Sequence, residues 1–187
     1  TMRHAILLLC IVLAILAQEI SVQVYSGTTG KLLNGFENYS WAKVNFQDTT
    51  VVRSGSKYAL SMIPAGYQAL YLHGDFVMPF GNLGKLTFWV NGGTGGSQNV
   101  KVNLLSSGKA VGASLLLSDI LGKPVPANTW TQASLDIIKF AIGSEVTIGG
   151  IWFQATTNTA ESALYFDDIQ FTASVPQAKP VTVVVSD

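Results

Sequence analysis

The sequence predicts an all-β fold, a sandwich or barrel of short antiparallel strands. Three observations carry this. Charged residues make up only 12% of the 187-residue chain, while 18 glycines supply turns. Alternating apolar and polar segments recur at short intervals. Between them lie GTTG, RSGS, NGGTGGSQ and TTNTAES, rich in the residues that turns require.

Alternation places strands at Ile20–Tyr25, Tyr39–Phe46, Tyr58–Ile63, Ala69–Gly74, Lys85–Asn91, Asn99–Leu105, Ala113–Leu117, Thr131–Asp136, Gly150–Ala155 and Ala163–Phe171. Leu135–Ile142 admits a helical turn. No internal repeat is visible.

The chain's first residues read as a secretory signal. Met2-Arg3-His4 is a short basic start, and Ala5–Ala17 is an unbroken apolar run. That run is short for a bilayer span and suits a signal peptide at residues 1–17, cleaved after Ala17. An uncleaved anchor is the alternative. The single cysteine, Cys10, lies within the signal, so residues 18–174 form a domain without disulfides. Such a domain depends on its core, a bound metal or assembly. Residues 175–187 read as a proline-containing linker, VPQAKP, followed by a terminal strand, VTVVV. That strand and ISVQVY near the start could pair with neighbouring molecules. Asn38-Tyr39-Ser40 is a glycosylation acceptor sequence at Asn38.

Function classes narrow from composition. Eleven basic residues balance eleven acidic ones, and no basic cluster appears, which argues against nucleic acid as a partner. Glycan hydrolysis needs two carboxylates about 5 to 9.5 Å apart across a cleft. Asp75 continues the polar face two residues after His73, and no second acid joins it in the pattern. A non-catalytic protein is expected.

The strand faces are more informative. Leu86, Phe88 and Val90 alternate with Thr87, Trp89 and Asn91. Val100, Val102 and Leu104 oppose Lys101 and Asn103. Ile151, Phe153 and Ala155 oppose Trp152 and Gln154, and Leu70 and Leu72 oppose Tyr71 and His73. One face is the core. The other combines flat rings with amides and charged tips. Sugar rings have apolar C–H faces edged by hydroxyls, and these side chains match both features. The expected carbohydrate-binding set is Trp89, Trp152, Tyr71, His73, Gln154, Asn91, Asn103 and Lys101, with Trp41 and, near another turn, Tyr67 able to line a groove. Each ring could instead serve packing, as Trp130 is expected to do.

FDDIQF (Phe166–Phe171) sets two carboxylates inside a strand that is otherwise buried. Asp167 and Asp168 need a metal ion, a basic partner such as Arg53 or Lys57, or water.

In order along the chain, NGFENYSW (34–41), VRSGSKYALSM (52–62), LGKLTFWVNGG (83–93), NTWTQASLDI (128–137) and YFDDIQF (165–171) resemble the strands of secreted jelly-roll carbohydrate-binding modules, the galactose-binding-like β-sandwiches. Asn128 stands where those modules usually have glycine. The resemblance spans roughly residues 35–172. It implies a jelly-roll β-sandwich of two antiparallel sheets and a secreted, lectin-like protein, extracellular or in a cell wall, that recognises a polysaccharide. It also implies a structural Ca2+ bound by Glu37 with Asp168 or Asp167 and completed by backbone carbonyls, a donor set that suits calcium. The alternative function is a structural subunit of an extracellular matrix or filament, joined through its edge strands.

Overall fold

The structure, a computed structural model, describes residues 19–174. The expected signal peptide, linker and terminal strand lie outside the described residues, as does the side chain of Asp75.

Twelve strands follow in chain order: β1 (Glu19–Ser26), β2 (Lys31–Leu32), β3 (Phe36–Asn38), β4 (Lys43–Asp48), β5 (Ala59–Ile63), β6 (Ala69–Pro79), β7 (Leu83–Asn91), β8 (Val100–Ser106), β9 (Lys109–Leu116), β10 (Thr131–Asp136), β11 (Thr147–Ala155) and β12 (Leu164–Ser174). The helical turn expected near Leu135–Ile142 is a 3-10 turn at Ile137–Phe140. A one-turn helix, α1 (Leu117–Leu121), was not anticipated; Gly122 ends it in the left-handed conformation that glycine favours.

The strands form two antiparallel sheets. The first runs β10-β7-β12-β1-β2, with β5 also on β12 and β4 on β5. The second runs β3-β6-β11-β8-β9. The residues that alternation assigned to the core face inward. Leu86, Phe88 and Val90 from the first sheet meet Leu70, Leu72, Val102, Leu104, Ile151 and Phe153 from the second.

Three phenylalanines join the sheets at the centre. The Phe153 ring lies 5.3 Å from Phe88 and 4.5 Å from Phe166, and the Phe88–Phe153 contact is edge-to-face. Fully burying each ring contributes roughly 1.5–3 kcal/mol, which is how the sandwich closes without disulfides.

β12 explains where its two aspartates go. Along one edge it pairs with β5 over Leu164–Phe166 and with β1 from Ile169 onward. Asp167 and Asp168 fall at this handover, and Asp168 takes a positive φ of 45°. With no strand beside them here, side chains fill the gap.

Candidate functional site

The second sheet presents a row-by-row grid on its outer face. Gly150, Trp152 and Gln154 project from β11, the middle strand. On one side they face His73, Tyr71 and Ala69 of β6. On the other they face Leu105, Asn103 and Lys101 of β8. Residues 36–42 run along the free edge of β6. β3 pairs there, with Glu37 opposite His73. Beyond it, the Tyr39 amide donates to the Tyr71 carbonyl (2.9 Å) and the Trp41 amide to the Ala69 carbonyl (3.2 Å). Phe36 turns into the core.

The rings on this face buttress one another. Trp41 meets Trp152 edge-on at 5.3 Å, and Tyr71 meets Trp152 edge-on at 5.8 Å. Tyr39 stacks on His73 at 4.5 Å with a 22° interplanar angle. The Tyr71 hydroxyl and His73 Nδ1 share a 2.8 Å hydrogen bond. Burial, then the neighbouring Tyr39, raises the Tyr71 phenol above its usual pKa, so it remains a neutral hydroxyl.

Exposure separates supports from contacts. Tyr71 is only 8% exposed, whereas Tyr39 is 52% and Trp41 44% exposed. Tyr67, 56% exposed, stands at the corner beside Gln154, whose side-chain amide donates to its carbonyl (2.9 Å). Tyr67 has a φ of 60°, a left-handed conformation that costs a non-glycine residue energy.

The structure gathers Trp41, Tyr71, His73, Lys101, Trp152 and Gln154 on one face, together with Asn103. Asn103 is buried beneath the surface, where it donates to Ser114 Oγ (2.5 Å). Tyr39 was missing from the expected set, whereas Tyr67 was expected near a turn, able to line a groove. Tyr39 shares alternation parity with Trp41, a signal the sequence did hold.

Two expected residues do not belong to this face. Trp89 and Asn91 lie on β7, in the other sheet. Alternation showed that Trp89 points away from the core, but not that its outward direction is opposite to that of Trp152. The Arg53 guanidinium covers the Trp89 ring, 5.0 Å from its centroid. Asn91 is buried and accepts the Gly93 amide through its side chain (2.9 Å), a turn-holding role.

The expected calcium ligands are not brought together either. Glu37 is on β3 of the second sheet, whereas Asp167 and Asp168 are on β12 of the first. Among the described residues, no group of three His, Cys, Asp or Glu side chains assembles as a metal site. Asp167 is fully buried and is served by protein donors. It receives Arg53 Nε (3.0 Å), Ser56 Oγ (2.5 Å) and the Gly27 amide (2.9 Å), while Arg53 Nη2 pairs with Asp168. These residues do not fit the calcium site that the resemblance implied; a basic partner satisfies the aspartates. Asn38 is exposed at the edge of the aromatic face, its side-chain oxygen accepting the Ser40 amide (3.0 Å).

Superposition on solved structures decides the fold. A CBM29-2 mutant complexed with mannohexaose superposes with a TM-score of 0.56 at 16% identity, covering 84% of this chain and 94% of that one. CBM29_1 from Piromyces equi gives a TM-score of 0.53 at 20% identity, covering 84% and 93%.

The fold is that of a family 29 carbohydrate-binding module.

A further CBM29-2 mutant, complexed with cellulohexaose, matches at a TM-score of 0.54 and 16% identity, covering 83% of this chain and 92% of that one. No family model matches the sequence. By sequence, 143 residues are 31% identical to an endoglucanase of Dictyostelium discoideum, covering 76% of this chain and 20% of that protein. The chain thus spans about a fifth of the length of this curated relative.

Proposed function

We propose that this chain is a non-catalytic carbohydrate-binding module that holds a cell-wall or extracellular polysaccharide against the outer face of its second sheet. One observation carries the reading: Tyr39 and Trp41 stand exposed on a single face, fixed edge-to-face or by stacking on Tyr71, His73 and Trp152. Rigid rings lose little entropy on binding, and their faces match the C–H faces of sugars. Gln154 and Lys101, opposite one another on β11 and β8, border the rings with hydrogen-bonding groups for hydroxyls.

Mannohexaose and cellulohexaose, bound by modules of this fold, make linear hexose chains the first ligands to test. The matched fifth of the endoglucanase is the size of one module, which supports a binding role for this chain rather than the hydrolytic one. The reading includes an extracellular location, supported by the basic start and apolar run before Gln18.

The test is retention of the protein on insoluble cellulose and mannan. Trp41→Ala and Tyr39→Ala should each release it while circular dichroism stays unchanged. Full retention by both variants would remove the aromatic face from the binding site.

A further inference from the structure

The first sheet carries a separate recess on its outer face. Lys43, Asn45 and Asp48 of β4, Ser61 and Ile63 of β5 and Tyr165 of β12 border a groove of about 340 Å³, which Thr50 helps to close. This size lies within the roughly 300–1,000 Å³ of small-molecule sites. Register brings the walls together: Ser61 pairs with Asn45 on one side and with Tyr165 on the other.

The lining, which Val44 and Ala163 complete, mixes apolar and polar groups. It holds one aromatic ring, one cation, one anion, an amide and three hydroxyls. The Thr50 hydroxyl donates to Asp48 Oδ1 (2.6 Å) and lies 3.3 Å from the Tyr165 hydroxyl. Burial pushes the Asp48 carboxyl up, but hydrogen bonds from the Thr50 hydroxyl and amide, then from Ser61, outweigh it and hold the pKa below its usual value. Asp48 is therefore an ionised acceptor at neutral pH. Lys43 is the one cation and Asp48 the one anion of the lining, so the groove carries no net formal charge and favours a neutral ligand over an ion. A neutral molecule able to donate to a carboxylate, accept from an ammonium and lie against a phenol ring is a polyol with apolar C–H groups.

We propose that this groove is a second saccharide site, taking one or two hexose units, on the sheet opposite the aromatic face. Its ligand class rests on the carbohydrate reading above, but none of its residues belongs to the aromatic face. With sites on both outer faces, one molecule touches two polysaccharide chains at once.

The test is a two-dimensional amide NMR titration of the protein with cellobiose and with mannose. Saturable shifts at Asn45, Asp48, Ser61 and Tyr165 are expected, and they should persist in Trp41→Ala. Asp48→Asn should weaken them about tenfold, equivalent to roughly 1.4 kcal/mol, and leave shifts at Tyr71 and Trp152 intact. Lys43→Ala, an exposed position, guards against a folding effect and should weaken the same shifts. Shifts confined to the aromatic face would overturn the second site and keep the proposed function. Shifts confined to the groove would keep the second site and overturn the aromatic face as binder. No saturable shift with either sugar would overturn the second site, and the polysaccharide retention assay would then judge the proposed function alone.

Discussion

Arg53 Nε lies 3.0 Å from Oδ2 of Asp167, a carboxylate with no exposure to water, while the same guanidinium covers the ring of Trp89. One side chain from the β4–β5 connection thus fills the place on β12 where β5 has ended and β1 has not begun. It neutralises a buried charge and closes the first sheet's outer surface over a tryptophan.

Arg53→Met should therefore destabilise the protein well beyond an ordinary surface substitution. Removing one partner of a buried pair costs about 3–5 kcal/mol. Arg53 is 22% exposed and Asp167 keeps its bonds to Ser56 and Gly27, so about 3 kcal/mol is expected. Urea unfolding at neutral pH measures it. A loss like that of an exposed ion pair, under about 1 kcal/mol, would show that the guanidinium is not neutralising Asp167.

Asp168 gives a pH signature. Burial, then the charge of Asp167, raises its pKa, and Arg53 only partly offsets them. The folded state therefore holds this proton more tightly than the unfolded chain does. The group's stabilising contribution is complete below the ordinary aspartate pKa and is lost as pH rises through the raised value. Asp168→Asn abolishes the titration. The stability of Asp168→Asn relative to the native protein should rise as pH increases upward from the ordinary aspartate range, read from melting temperatures across that window. A difference independent of pH would contradict the assignment.

Gly150 makes room for the aromatic face. A Cβ there would come within 2.9 Å of Tyr71 Cε2 and 3.0 Å of the Leu72 carbonyl oxygen. The carbonyl belongs to the paired strand and cannot move aside. Gly150→Ala should cost about 2 kcal/mol, as overpacking does, and tilt Tyr71. Near-ultraviolet circular dichroism and thermal melting together test both effects.

Tyr67 should show opposed effects on stability and binding. Its left-handed backbone costs roughly 1–2 kcal/mol for a residue with a side chain. Tyr67→Gly should relieve part of this and raise the melting temperature, while weakening retention on polysaccharide through loss of the exposed ring. If stability rises and retention is unchanged, the ring lies outside the binding surface.

Trp41 and Trp89 provide the sharpest comparison between the two sheets. Trp41→Ala should weaken affinity for an insoluble glucan or mannan by about 2 kcal/mol, the scale of a dominant contact residue. Trp89→Ala should leave that affinity unchanged and instead lower stability through its contact with Arg53. Depletion isotherms and thermal melting of both variants check the division.

Within each strand, much of this was legible in the sequence. Leu86, Phe88 and Val90 face inward because side chains alternate, and local order alone fixes that. Strand ends were less clear: β6 extends to Pro79, past the expected end at Gly74. Pairing between strands is non-local, so alternation could not tell that Trp89 and Trp152 belong to different sheets. The residues expected to hold calcium are kept apart for a related reason. Glu37 and Asp168 lie near the two ends of the domain, but β3 joins β6 in the second sheet rather than β12 in the first. Arg53 was recognisable only as one possible partner, because its position depends on where β5 stops.

Trp152 sits on a strand hydrogen-bonded on both sides, to β6 and to β8, over Gly150–Gln154. A tether fixed to this residue and pulled along the strand loads both ladders in shear. Their bonds must then give way together rather than peel apart one by one. An aromatic ring on an edge strand such as β9 would have a single ladder behind it. The ring that buttresses Trp41 is therefore mounted where the second sheet best resists tearing, while Tyr39 and Trp41 themselves ride on the edge segment.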